Sequence, residues 1–68
     1  MTKYVFYYYF QFGLVCCAKA ALENGRPVGG ELNAIPGNIH EITEQEWMNY
    51  SLFDLKGKYE YVDGGKDA

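Results

Sequence analysis

Tyr4-Val5-Phe6-Tyr7-Tyr8-Tyr9-Phe10-Gln11-Phe12 gathers seven aromatic side chains into nine consecutive positions. Aromatic residues lose rotamer freedom in a helix and fit the pleated surface of a sheet, so residues 4–12 read as a β-strand. Alternation in a strand places Tyr4, Phe6, Tyr8, Phe10 and Phe12 on one face and Val5, Tyr7, Tyr9 and Gln11 on the other. The Phe-rich face is the natural core side. The Val-Tyr-Tyr-Gln face is amphipathic, as expected where burial is partial or shared with a partner.

Gly13 breaks this strand, and residues 14–22 admit two readings. Ala18, Ala20, Ala21 and Leu22 favour a helix that Asn24-Gly25 would cap. Asn-Gly between apolar stretches is also a strong hairpin signal, with Glu23 and Arg26 facing each other across a two-residue turn. The hairpin reading is preferred, with Leu14, Cys16, Ala18, Ala20 and Leu22 on one face. The returning strand is expected over residues 27–35, with Pro27 at an edge and Gly29-Gly30 as a weak middle or bulge. Pro36-Gly37-Asn38 then ends it as a turn.

Thr43-Glu44-Gln45-Glu46 fits a capping box, and Ile42 with Trp47 has the spacing of a hydrophobic staple, so a helix is predicted to begin after Thr43. Trp47, Met48, Ser51, Leu52 and Leu55 describe its apolar flank, widened by Tyr50 and Phe53. Gly57 is placed as the C-terminal cap, and Ser51 to Asp54 offers the spacing for a second short helical turn. Lys58-Tyr59-Glu60-Tyr61-Val62 alternates as a fourth strand with Tyr59 and Tyr61 inward. The fold class expected is α+β: a small antiparallel sheet of three to four strands in β-β-β-α-β order, with one helix on one face. Residues 1–62 form its single domain and residues 63–68 a flexible tail.

At 68 residues the chain has room for one domain, which buries only about 60% of the surface its unfolded chain exposes. Small scaffolds of this size rely on disulfides, metals, dense packing or a partner subunit. Cys16 and Cys17 are neighbours whose side chains would point to opposite faces of a strand, which excludes a bridge between them and points to free thiols in a reducing, cytoplasmic setting. With one His they supply too few ligands for zinc. Residues 1–20 have the outline of a signal peptide, but the tyrosines and Gln11 spoil its apolar centre and any membrane span.

The net charge of −3 comes from six Lys and Arg against nine Asp and Glu, all nine acids lying from Glu23 onward. An acidic balance argues against duplex DNA, which is held by clustered Lys and Arg. It suits a protein partner with a basic face. His40-Glu41 is the only acid-base dyad and has no orienting group or nucleophile beside it; no phosphate loop or cofactor motif is present. The expectation is therefore a non-enzymatic, cofactor-free protein–protein interaction module. The kind in view is a phage or mobile-element accessory protein that inhibits a host defence or nucleic-acid-handling factor by occlusion. Val5, Tyr7, Tyr9 and Gln11 would anchor the partner, and Glu41, Glu44 and Glu46 would form an acidic rim. Two alternatives are a self-assembling subunit, a homodimer in the simplest case, and a single-stranded nucleic-acid binder that stacks bases on Tyr7 and Tyr9 beside Lys3 and Lys19.

Overall fold

In the computed structural model, which describes residues 1–63, the aromatic stretch lies in β1 (Thr2–Gln11). Strand β2 (Leu14–Glu23) returns antiparallel to it in one unbroken register, from Gln11 opposite Leu14 to Thr2 opposite Glu23. Phe12 and Gly13 join them at φ 53° and 76°. Asn24 and Gly25, at φ 54° and 83°, make a second turn of the same hand, and Glu23 faces Arg26 in β3 (Arg26–Pro27). Positive φ at both central residues is what a two-residue hairpin needs to match the right-handed strand twist. Strand β4 (Ile39–Ile42) lies along the other edge of β1, and the sheet order is β3-β2-β1-β4.

The antiparallel α+β class is as the sequence predicted, but three elements differ. The returning strand stops at Pro27 instead of running to Ile35: Gly29 takes φ 84°, and the chain leaves the sheet. The fourth strand precedes the helices, at residues 39–42, and no strand forms over residues 58–62. The helical region is two helices, α1 (Glu44–Asn49) and α2 (Leu52–Lys58), each opened by its own capping box, Thr43 with Glu46 and Ser51 with Asp54. Tyr50, in extended conformation, separates them. Gly57 lies within α2, and the cap is Tyr59, whose N–H donates to the Leu55 carbonyl.

The core follows the parity of β1. Phe6, Tyr8, Ile35, Ile42 and Leu55 form the buried cluster, with Tyr4, Trp47, Tyr59 and Tyr61 packed against it. Aromatic contacts run along its length: Tyr4 on Trp47 at 4.9 Å, Phe6 edge-on to Tyr8 at 5.2 Å, and Tyr8 edge-on to Tyr61 at 5.5 Å. Such tilted and edge-to-face pairs add about 0.5–1.5 kcal/mol each beyond the area they bury. The predicted core face is cut short at the hairpin tip, where Phe10 is 61% and Phe12 94% exposed. On the helices Met48, Leu52 and Phe53 are also exposed, because the break at Tyr50 turns α2 so that Leu55 alone among its residues is buried.

Two side chains tie the layers together. Lys19 of β2 donates its Nζ to the carbonyls of Trp47 and Tyr50 (2.8 and 3.0 Å), satisfying the C-terminal end of α1. A cation at unsatisfied helix carbonyls is favoured by hydrogen bonding and by the helix dipole. Asn38, fully buried, donates Nδ2–H to the Val62 and Pro36 carbonyls and accepts the Val62 N–H at Oδ1. It holds the chain after α2 against the sheet without a strand. Among the described residues, no helix is long and apolar enough to cross a membrane.

Candidate interaction surface

The helices pack on the face of β1 that carries Tyr4, Phe6 and Tyr8. The opposite face presents Lys3, Val5, Tyr7, Tyr9 and Gln11. Cross-strand neighbours Ala20, Ala18, Cys16 and Leu14 flank it on β2, and Glu41 and Ile39 on β4. Tyr7 and Tyr9 are half-buried and lie ring to ring at 5.8 Å. Two residues apart on one strand face, they form a single aromatic platform, with Ile39 beside Tyr7 and 45% exposed.

The expected partner-binding residues are not all available on this face. Tyr7, Tyr9, Gln11 and Glu41 are brought together on it, and Glu44 is exposed in the first turn of α1. Val5, by contrast, is only 5% exposed. The connection from β3 to β4 has to cross the sheet, because those strands occupy opposite edges, and residues 28–32 line a groove with Tyr7 and Ala20. Val5 therefore offers a partner no anchor on this face.

Glu46 is also withdrawn from any rim. It is 8% exposed, and its carboxylate accepts hydrogen bonds from Lys58 Nζ at 2.6 Å, the Thr43 N–H at 3.0 Å and the Tyr59 hydroxyl at 3.1 Å. The Lys58 bond first, then the Thr43 amide, hold its carboxyl down to about 2, against the opposing effect of burial. Lys58, at the end of α2, is pushed up by the same bond. Glu46 thus closes the capping box of α1 and locks α2 to it. Its folded value lies below the unfolded value of about 4.3, so its contribution to stability is complete above that pH and is lost as pH falls through about 4.5 toward 2. Glu46→Gln is expected to flatten this part of the acid limb in melting curves recorded by circular dichroism. An acid limb of unchanged slope would remove Glu46 from the account.

The cationic and nucleophilic candidates are dispersed. Lys19 is drawn to the helix side, which among the described residues leaves Lys3 as the one cation on the Tyr7–Tyr9 face and weakens the nucleic-acid reading. His40 and Glu41 are successive residues of β4 and so face opposite sides of the sheet. His40 stacks on Tyr59 at 5.0 Å, with its Nε2 buried and unpartnered. Cys16 and Cys17 are free thiols, Cys17 against the core and Cys16 opposite Tyr9 on the other face. Among the described residues no three His, Cys, Asp or Glu side chains cluster as a metal site would require.

Sequence reasoning missed two exposed apolar groups. One is the β1–β2 tip, where Phe10, Phe12, Leu14 and Val15 are 61%, 94%, 67% and 44% exposed; the other is Val28 after β3, 65% exposed. The only signal for the first was Phe-Gly at a place where two positive φ angles are needed. No family model matches this chain, and neither the curated proteins nor the solved structures contain a significant match to it.

Proposed function

We propose that this chain is a non-enzymatic protein–protein interaction module that occludes a basic surface of its partner with the open face of its sheet. The observation that carries this reading is the Tyr7–Tyr9 platform, flanked by exposed Ile39 and Gln11 on a sheet face that bears no helix. Tyrosines are favoured anchors because they supply large rigid contact area and a polar tip. Glu41 adds negative charge on this face, opposite Val5 in the register, in a chain of net charge −3, which suits a partner rich in Lys and Arg. A short acidic chain of this design fits a cytoplasmic accessory protein of a phage or mobile element that blocks a host defence or nucleic-acid-handling factor.

The test is a pair of affinity captures from host extract, one with the native chain and one with the Tyr7→Ser/Tyr9→Ser variant, after melting curves establish that both are folded. A partner retained by the native chain, weakened by salt and lost by the folded variant is the expected result. Equal retention of that partner by both proteins would sink the assignment of this face.

A further inference from the structure

We propose that the outer edge of β2 pairs with the same edge of a second copy of this chain, antiparallel and about a two-fold axis at Cys16. Strand β2 is bonded to β1 along its whole length, but its outer side is hydrogen-bonded only at the far end. There Leu22 and Glu23 face Pro27 and Arg26, and the Ala21 carbonyl accepts the Val28 N–H. Alternate residues of an antiparallel strand aim both backbone groups to the same side. With the Ala21 carbonyl directed outward, Val15, Cys17 and Lys19 direct theirs outward too. Among the described residues no strand pairs with them.

Sheets that end in water guard such edges with bulges, prolines, covering loops or projecting charges. Residues 15–20 of β2 have no bulge and no proline, and their one charge, Lys19, is folded back onto the carbonyls of Trp47 and Tyr50. The occupant that fits is a second copy. All nine acids lie from Glu23 onward, so residues 1–22 of the hairpin bring no carboxylate to a contact between two copies.

Sterics select the register. Outward groups at odd positions must meet outward groups, so the axis falls on a residue of β2. An axis at Cys17 drives Val28 of each copy into Gly13 of the other, because Val28 continues the line of β3 beside Ala21. An axis at Cys16 clears this. Val15 and Cys17 then exchange both backbone hydrogen bonds with Cys17 and Val15 of the other copy. Each hairpin tip reaches the end of β3 across the two-fold, so Phe12 of one copy, level with Ala20 of the other, approaches that copy's Val28. An exposed phenylalanine at positive φ is a costly choice for a free turn. As the side chain that covers Val28 of a second copy, it has a role.

In this register the two Cys16 residues form a non-hydrogen-bonded pair, with Cα atoms about 4.5 Å apart, inside the range a disulfide accepts. Each Cys17 sits opposite Val15. The test measures mass by light scattering over a dilution series of the reduced chain, then treats it with diamide, which takes two electrons and two protons from a thiol pair. Expected are a concentration-dependent doubling of mass and a disulfide-linked dimer formed by the native chain and Cys17→Ser but not by Cys16→Ser. Phe12→Asn, which suits the turn better and so keeps the fold, is expected to weaken association tenfold or more. A single monomeric mass at every concentration would overturn the proposal, as would cross-linking that depends on Cys17.

Discussion

Phe6→Ala is expected to bring the domain to the edge of unfolding at room temperature. The Phe6 side chain is fully buried between β1 and the helices, touching Tyr8 at 5.2 Å and Tyr59 at 6.2 Å. Phe→Ala in a core costs about 3–5 kcal/mol, from lost transfer energy and from the cavity that remains. Proteins are stable by about 0.05–0.15 kcal/mol per residue, so this chain has roughly 3–10 kcal/mol in total. One side chain is therefore of the order of the whole margin. The same replacement at Phe12, 94% exposed on the same hairpin, is expected to stay within about 0.5 kcal/mol. Urea titrations followed by circular dichroism decide between the two positions. Phe6 and Phe12 share the even-numbered parity of the core face, so similar midpoints for Phe6→Ala and Phe12→Ala would mean that this face is not divided into a buried middle and an open tip.

That parity was legible because it is local. Period-two alternation, the Asn24-Gly25 turn with Glu23 opposite Arg26, and the Thr43–Glu46 capping box each depend on a few adjacent residues, and each formed where the sequence put it. The remainder depended on competition between distant segments for one edge. Tyr59 and Tyr61 alternate as a strand would, and both do pack on the core. The free side of β1 was nevertheless taken by β4, with the bonds from Tyr8 to Asn38 and Ile35 extending that pairing. Nothing in Ile39-His40-Glu41-Ile42 alone announces that it will win.

The site divides in the same way. Sequence alternation placed Tyr7, Tyr9 and Gln11 together on one face, and that grouping rests on geometry that any strand obeys. It could not reveal that Val5, on the same face, is closed over in a sheet whose β3–β4 connection must cross from edge to edge. Nor could it distinguish Glu44 from Glu46: both suit a first helical turn, but only Glu46 meets Lys58 and Tyr59 from α2 and its exit. Charge along a sequence marks a candidate rim; a second helix decides which carboxylates remain free to serve as one.

Asn38 produced no signal beyond that of a turn residue, yet its replacement is expected to have the largest effect of any polar substitution. Every polar group it owns is used. Its backbone N–H donates to the Ile35 carbonyl and its carbonyl accepts the Tyr8 N–H, while its side chain bonds Pro36 and twice Val62. The side-chain amide therefore acts as one more rung of a ladder, pairing with Val62 as an adjacent strand would and replacing the strand that residues 58–62 do not form. Asn38→Ala removes three side-chain hydrogen bonds, each contributing about 0.5–1.5 kcal/mol net. Val62 is 51% exposed, so water recovers part of what its backbone loses. The net cost is expected at about 2–3 kcal/mol, a fall in melting temperature of roughly 10–20 °C for a domain of this size. The exit from α2 should loosen before the sheet does: amide exchange at Val62 should accelerate in Asn38→Ala, with β1 and β2 retaining their protection. Asn38→Asp is the stricter control, since it keeps an acceptor for the Val62 N–H but loses both donated bonds and brings a carboxylate into a fully buried position. It is expected to be no more stable than Asn38→Ala at neutral pH. A melting temperature within a few degrees of the native chain for both variants would show that Tyr59 and Tyr61, by packing alone, hold this segment in place.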